Sequence, residues 1–443
     1  MRDDGGTIYN EPDTARAVLR AFCPGTAPVL VVEYLPRRCL SWWGGPAPPK
    51  RNEEAMSSRA RLVLLFISAP IVLLVVAGGF MSQATASRDE TYRPMRVFQE
   101  VVPLILSSYV EPVNSDSIMQ GAMHGLAEGL DPDSSYLTPA QVAAFTSAGP
   151  APKGNVGLEL TRQYYLRVIA AREGSPAARA GLRTGDFIRG IDGKPTREMS
   201  VLLGSRLLQG PPGSKVSLTI LRGNAAEPHT VELVREATPS LAVTSRIVRP
   251  GIGLVRVPSF AAHTPAQIRE QFAAVGKQGA EQILVDLRGT AEGGLDQGIA
   301  AARLFVGQGV LATRESRAGK TPIEAESNDG GITAPALLLV DNGTSGAAEV
   351  FAAALTENGR TTLIGERTLG RAATQELVKL PDGSGLWLST TRYLTPKDAV
   401  IHEKGLKPEV LVEVPDVEFG AEPPPTDPIL EKALETIGLK KAA

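Results

Sequence analysis

The chain has 443 residues, enough for two or three domains with hydrophobic cores of their own. Its formal net charge of −2 excludes the strongly basic proteins that bind nucleic acid through charge alone. Both cysteines, Cys23 and Cys39, lie near the N-terminus, and a thiol-free body is typical of an exported protein without disulfides. The four histidines are scattered without metal-ligand spacing, so we expect no metal and no other cofactor.

A long uncharged run, Leu62–Phe80, is about the length that crosses a bilayer as a helix. Arg59 and Arg61 precede it and place its N-terminal side in the cytoplasm. We therefore expect residues 56–90 to be a signal-anchor that holds the rest of the chain on the periplasmic, extracytoplasmic face of a membrane. Cleavage after Ala86 is the alternative, and it would release a secreted protein.

Residues 1–55 show no hydrophobic periodicity. Met56, followed by Ser57-Ser58-Arg59, makes an ordinary start for an exported protein. We therefore interpret residues 1–55 as an untranslated or disordered extension.

Residues 91–150 are predicted to form a helical region, because Val97, Val101 and Leu104 follow helical spacing. A turn at Asp131–Asp133 precedes a further helix, for which Thr138 is the expected N-cap and Pro139 the first residue.

Residues 151–237 form a predicted module of short strands, and Gly174–Gly193 within it resembles a PDZ domain closely. PDZ domains bind an extended C-terminal peptide by strand addition and capture its carboxylate in a backbone nest. The resemblance implies that protein C-termini are partners, and it places the nest on Asn155, Val156, Gly157 and Leu158. The predicted strands are Val156–Leu160, Tyr165–Ala170, Phe187–Ile191 and Val216–Leu221, with a helix over Arg197–Leu208.

Strands alternate with helices over residues 238–415, which predicts an α/β core. Its predicted strands are Gly253–Val257, Gln282–Leu287, Ala336–Val340 and Thr361–Gly365, and its helices are Pro265–Val275, Leu295–Phe305 and Ala347–Asn358. The turn Asn342–Gly346 leads from a buried strand into a helix, a geometry that suits an oxyanion. The tail, residues 416–443, contains a short predicted helix over Pro428–Ile437, and we interpret it as a solvated end rather than an oligomerisation element.

A set of short motifs is spread between Ser107 and Pro415. They are Tyr109–Glu111, Leu130–Leu137, Asp286–Arg288 with Gly293-Gly294, Gly365–Thr368, Leu380–Ser384, Thr391–Tyr393 with Thr395-Pro396, and Lys404–Pro408. Through these motifs and the PDZ-like module, the chain resembles the C-terminal processing peptidases, the tail-specific serine proteases of peptidase family S41. The resemblance implies a multidomain α+β and α/β protein, in which the PDZ module accompanies a ClpP/crotonase-like peptidase core. Family members use a serine nucleophile and a lysine general base.

The two dyad positions hold other residues in this chain. Aligned on Glu349, the nucleophile position is Gly346, and the lysine position is Arg371. Glycine has no nucleophilic atom, and arginine stays protonated and cannot act as a general base. The chain is therefore predicted to be a pseudoenzyme, serine protease-like in fold and without proteolysis.

The other positions of the family's active site are only partly matched in this chain. Gln375 matches a family glutamine, and the N–H groups of Ala347 and of Gly293 or Gly294 are the expected oxyanion donors. The loop Thr290–Gly294 is one residue longer than the family pattern and lacks its proline.

Three functions remain open at this point. The first is an anchored pseudopeptidase that binds protein tails and presents them to, or withholds them from, an active protease. The second is an endopeptidase with a relocated nucleophile such as Ser345, served by His263 or His402, although Ser345 is expected to cap the following helix. The third is a structural PDZ scaffold with a fixed partner.

Overall fold

A computed structural model of the chain describes residues 95–147, 154–223, 227–237, 240–415, 417–419 and 425–442. The predicted extension 1–55 and the predicted signal-anchor 56–90 lie outside the described residues, as do residues 148–153 before the PDZ module. Within the described ranges, none of the helices has the length and apolarity needed to cross a membrane.

The helices of these ranges are spread over the whole chain. In chain order they are α1 (95–108), α2 (Ser115–Glu128), α3 (Pro139–Ser147), α4 (Pro176–Arg179), α5 (Val201–Leu208), α6 (Thr264–Lys277), α7 (Leu295–Ala302), α8 (Ala347–Glu357) and α9 (Pro428–Ala442).

The strands fall into a PDZ module, residues 154–237, and a peptidase-like core that follows it. The module contains β2 (Gly154–Asn155), β3 (Leu158–Gln163), β4 (Tyr165–Ala171), β5 (Phe187–Ile191), β6 (Lys194–Pro195), β7 (Lys215–Leu221), β8 (His229–Val234) and β9 (Glu236–Ala237). The remaining strands are β1 (Ser135–Leu137), β10 (Thr244–Arg249), β11 (Ile252–Arg256), β12 (Gln282–Asp286), β13 (Val310–Ser316), β14 (Gly319–Glu324), β15 (Ala336–Val340), β16 (Thr361–Gly365), β17 (Ala373–Lys379), β18 (Gly385–Leu394) and β19 (Val410–Leu411).

The region before the PDZ module is not entirely helical, which corrects the prediction for residues 91–150. Strand β1 lies between α2 and α3 and pairs antiparallel with β18 of the core, with Tyr136 opposite Leu386. The predicted cap of α3 is confirmed, because Thr138 Oγ1 accepts from Gln141 N while Gln141 Oε1 accepts from Thr138 N.

The PDZ module is an antiparallel sheet in the order β3-β4-β5-β7-β8, with α5 packed against β3. Alternating apolar residues of β3, β4 and β7 fill its core, as the period of a strand requires. Strand β3 is an edge of this sheet, so its outer backbone groups face a groove beside α5. Strand β8 was not predicted.

The central sheet of the core has the order β10-β11-β12-β15-β16-β19 and is parallel from β11 onward. Its strands are apolar runs because both faces are covered. One face packs against α6, α7 and α8, through side chains such as Val285 and Leu338. The opposite face packs against α9, through Leu284, Leu337 and Leu339. The C-terminal tail is therefore a packed helix, and its interpretation as a solvated end was wrong.

A second core sheet was not predicted. It has the order β1-β18-β13-β14, with β17 also paired to β18. This sheet joins the N-terminal region to the core, because β1 and β13 pair with different parts of β18.

Candidate functional site

The turn between β15 and α8 brings Gly346 to the N-cap of α8 with φ +64° and ψ −121°. A side chain is strained at such a positive φ, which favours glycine. The turn is fixed from below, because Thr344 Oγ1 donates to Leu287 O at 2.9 Å and Ser345 N donates to Thr290 O at 3.0 Å. The position is therefore a rigid strand-to-helix turn whose shape does not depend on a side chain at residue 346.

Helix α8 carries one charged residue in its buried part, Glu349, which is fully buried. Its carboxylate accepts hydrogen bonds from Gly346 N at 3.0 Å, Gly370 N at 2.7 Å and Arg371 N at 2.7 Å, and from the hydroxyl of Thr368. Burial raises the pKa of Glu349 to about 6, although these four donors favour the charged form. One carboxylate thus holds the backbone of both dyad positions.

The structure brings the predicted dyad positions together. A Cβ built on Gly346 would lie 3.6 Å from Arg371 O, an ordinary contact. The Arg371 side chain is engaged elsewhere, since its Nε lies 3.1 Å from the Asp133 carboxylate and its Nη1 lies 3.8 Å from Glu159 Oε2. Removal from water works against the charge, but these carboxylates raise the pKa of Arg371 above its ordinary value. The cation is fixed and permanent.

Asp133 was missed as a site residue. It lies in a turn held by Asp131, whose Oδ1 accepts from Asp133 N at 2.9 Å and from Ser134 N at 2.7 Å. Only 6% of Asp133 is exposed. Asp133 and Arg371 are 238 residues apart, so no local sequence pattern could predict their contact. Asp133 does lie inside Leu130–Leu137, one of the stretches that match the family.

The loop with Gly293 and Gly294 leads into α7. Gly293 has φ +129° and forms an isolated bridge to Phe260, and a Cβ there would lie 2.2 Å from Phe260 O. Gly294 is the N-cap of α7. Phe260 N also donates to Glu292 O at 2.9 Å, so the longer loop is anchored to the core at two adjacent residues.

Two further predicted residues differ in their surroundings. Ala347 begins α8, where backbone N–H groups have no partner within the helix, so an oxyanion donor remains available there. The amide of Gln375 instead donates to Ala373 O at 3.3 Å and to Ser389 Oγ at 3.2 Å. Gln375 therefore stabilises the pairing of β17 with β18.

Ser345 is only 1% exposed, and in the described part of the chain its Oγ has no hydrogen-bond partner. The predicted capping role of Ser345 was wrong, because Gly346 is the N-cap and Glu349 satisfies its N–H. Neither suggested base bonds to Ser345. His263 Nε2 lies 3.0 Å from Ser240 Oγ, and both nitrogens of buried His402 are without partners among the described residues.

The predicted carboxylate nest is closed by its own first residue. Asn155 Oδ1 accepts from Val156 N at 2.6 Å and from Gly157 N at 3.2 Å. Gly157 has φ +78°, and a Cβ there would lie 2.3 Å from Ser175 Cβ, so no larger residue fits. Leu158 follows as the first residue of β3, and its buried side chain enters the module core.

A cavity of about 400 Å³ separates this nest from the core, and both sides contribute charged side chains. Arg172 of the PDZ module pairs with Glu292 of the core at 3.1 Å, while Arg256 of the core pairs with Glu173 of the module at 2.6 Å. Arg256 also donates to Thr290 Oγ1 at 3.0 Å. The base of the Gly293-Gly294 loop and the nest therefore face the same cavity.

Comparisons with known proteins found relatives for both the PDZ module and the core. The model of peptidase family S41 matches residues 251–412, and a PDZ domain model matches residues 167–222. Carboxy-terminal processing protease CtpA of Bacillus subtilis is 31% identical over 316 residues, covering 70% of this chain and 67% of that protein. The carboxyl-terminal-processing protease of Synechocystis sp. is 30% identical over 343 residues, covering 75% and 80%. The solved photosystem II D1 C-terminal processing protease has a TM-score of 0.60 at 30% identity, covering 70% of this chain and 85% of that one.

Proposed function

This chain belongs to peptidase family S41, as a relative of the carboxy-terminal processing proteases, and we propose that it binds protein C-terminal tails without hydrolysing them. The observation that carries the proposal is the pair Gly346 and Arg371 on an otherwise intact strand–turn–helix scaffold. The scaffold retains its turn, its helix N-terminus and its buried Glu349. What it lacks is the nucleophilic atom and the neutral base.

The surroundings of Arg371 support the absence of hydrolysis further. A serine nucleophile is activated by a base that can lose its proton near neutral pH. Asp133 lies 3.1 Å from the guanidinium and favours a positive charge at this place. The local electrostatics therefore suit a fixed cation, and they oppose proton transfer.

Binding of tails is supported by the PDZ domain. Its edge strand β3 lies beside α5, where strand addition takes place in domains of this kind. The half-buried Leu203 and Leu207 of α5 pack on the module core and give the groove an apolar side. We propose apolar C-terminal residues as ligands, and an active protease to which the bound tail is presented or from which it is withheld. The site of action proposed from the sequence is the extracytoplasmic face of a membrane.

Two activities are tested together on the full chain. Short fluorescent peptides with a free C-terminal Ala, Val, Leu or Phe are titrated, and the same mixtures are examined for cleavage by mass spectrometry. We expect saturable binding and no new peptide ends, whereas CtpA of Bacillus subtilis serves as the cleaving reference. Turnover that disappears in Ser345→Ala would establish a relocated nucleophile instead. Failure of every free tail to bind would leave a structural scaffold.

A further inference from the structure

We infer that Arg172 is the cationic subsite for the terminal carboxylate of a bound tail, and that Glu292 occupies this subsite while no tail is present. The inference rests on the proposed tail binding. It adds a residue outside the backbone nest, and it adds a direct link from the peptide groove to the Gly293-Gly294 loop.

Arg172 lies directly beside the nest. Its backbone N donates to Gly157 O at 2.8 Å, and its Cβ is 3.3 Å from the place of a Cβ on Gly157. Its side chain lines the cavity of about 400 Å³ together with Asn155, Gly157 and Leu158. A carboxylate held by the nest therefore arrives in the cavity that already contains this guanidinium.

Both sets of donors in the subsite, the nest N–H groups and the Arg172 guanidinium, are bonded to oxygen atoms of the protein itself. The N–H groups of Val156 and Gly157 donate to Asn155 Oδ1. The Arg172 guanidinium, only 16% exposed, has both oxygens of the Glu292 carboxylate within reach, at 3.1 and 3.3 Å. Carboxylate and amide oxygens are thus already bound where a tail would place its own carboxylate. An arginine holds a carboxylate by charge-assisted hydrogen bonds, so an incoming carboxylate is a chemical equivalent of Glu292.

When the carboxylate of a tail replaces that of Glu292 on Arg172, the change reaches the core, because Glu292 belongs to the loop before α7. Glu292 is 46% exposed, so it is able to leave Arg172 for water at small cost. Its backbone O accepts from Phe260 N, and the next residue, Gly293, bridges to Phe260. A tail that takes Arg172 therefore releases the Glu292 side chain, which ties this loop to the residue beside the nest. The neighbouring pair Arg256–Glu173 also joins the module to the core, and Arg256 donates to Thr290 Oγ1 of the same loop at 3.0 Å.

The test uses the full chain and the tail peptides that it binds, each as a free acid and as its C-terminal amide. We expect Arg172→Gln to weaken binding of the acid about tenfold, because a charge-assisted bond of about 1.5 kcal/mol is lost, and to leave amide binding unchanged. Glu292→Gln should strengthen acid binding several-fold, because the competing carboxylate is gone. That gain should vanish in the double variant. Glu232→Gln, at an exposed position of β8 away from the lining of this cavity, is the control and should leave the acid-to-amide ratio unchanged.

The outcomes separate this inference from the proposed function. An Arg172→Gln protein that binds acid and amide peptides like the unmodified chain overturns the inference, and tail binding stands. A Glu292→Gln protein with unchanged acid affinity overturns the competition between the two carboxylates. Absence of any peptide binding by the unmodified chain overturns the proposed function itself.

Discussion

The carboxylates around Arg371 would also stabilise a positive charge on a different basic side chain at this position. Asp133, almost fully buried, lies 3.1 Å from its Nε, and Glu159 lies 3.8 Å from its Nη1. A lysine at the same place would meet the same carboxylates, and an opposite charge at this range raises the pKa of an amine. Restoring the two family residues therefore does not by itself restore a neutral base.

A comparison of two restored sites tests this point. We expect Gly346→Ser with Arg371→Lys to hydrolyse tail peptides slowly at neutral pH, because Asp133 keeps the introduced lysine protonated. Adding Asp133→Asn should lower the pKa of that lysine by about one unit and raise the neutral fraction about tenfold. The measurement is the pH dependence of turnover, together with the pH dependence of acylation of the lysine amine. Identical pH profiles for the double and triple variants would contradict the assigned role of Asp133.

Glu349 predicts a pH dependence of stability. Its pKa is about 6 in the folded protein against an ordinary 4.5, because it is buried. The folded state therefore binds this proton more tightly than the unfolded state, so stability from this group increases as the pH falls from 7 to about 4.5. The gain amounts to about 2 kcal/mol, and it is lost again as the pH rises through 6.

The variant Glu349→Gln isolates this contribution. Glutamine offers one acceptor oxygen where four donors converge, so we expect a loss of about 3 kcal/mol in the free energy of unfolding at pH 7. The difference from the unmodified protein should then grow by about 2 kcal/mol toward pH 4.5. Urea denaturation at several pH values measures both effects, and Glu376→Gln, on an exposed position of β17, is the control. A difference independent of pH would contradict the raised pKa.

At the scale of elements, the two glycines before α7 differ sharply although they are adjacent. A Cβ on Gly293 would lie 2.2 Å from Phe260 O at φ +129°, whereas a Cβ on Gly294 meets only Gln297 Cγ at 3.8 Å. We expect Gly293→Ala to cost about 3 kcal/mol or more, because backbone must shift and the φ is strained. Gly294→Ala should cost less than about 1 kcal/mol. Thermal unfolding of the two variants checks the contrast, and equal losses would refute the tight Gly293–Phe260 bridge.

Sequence patterns located the central sheet well because its strands are buried on both faces. The bounds of β15 and β16 were predicted without error, since each is a short apolar run between turns. The second sheet gave no such signal. Strand β18 is mostly half-buried and rich in serine and threonine, and its partner β1 lies more than two hundred residues away. Pairing over that distance is decided by tertiary packing, which no local pattern contains.

The candidate site was predictable where the family resemblance supplied its positions and unpredictable where long-range contacts define it. Gly346 and Arg371 follow from the motif, and the structure places them on one carboxylate. The partner Asp133 and the pair Arg172–Glu292 join segments far apart in the chain. Serine is a typical helix-capping residue, which is why Ser345 was expected to cap α8. In the structure Gly346 is the N-cap, and its backbone N–H donates to the side chain of Glu349 in the first turn of the helix.

At the scale of the whole molecule, the C-terminal segment returns to both earlier parts. Phe419 stacks on His229 of the PDZ module and lies under the guanidinium of Arg222. Further along, Asp427 pairs with Arg288 at 2.7 Å at the end of the central sheet. Helix α9 then covers the outer face of that sheet. The last residues of the chain therefore contribute to the stability of the core on which the candidate site is built.

Removing apolar contacts of α9 should consequently destabilise the whole core. Ile429 and Ile437 are each 3% exposed and pack with Leu284 and Leu339 of the sheet. We expect Ile429→Ala to lower the free energy of unfolding by about 2–5 kcal/mol, because it leaves a cavity between helix and sheet. Leu411→Ala is the matched control, since that side chain is 57% exposed and its loss should cost less than about 1 kcal/mol. A solvated, non-packing tail would instead make the two changes equally mild, and urea denaturation distinguishes these outcomes.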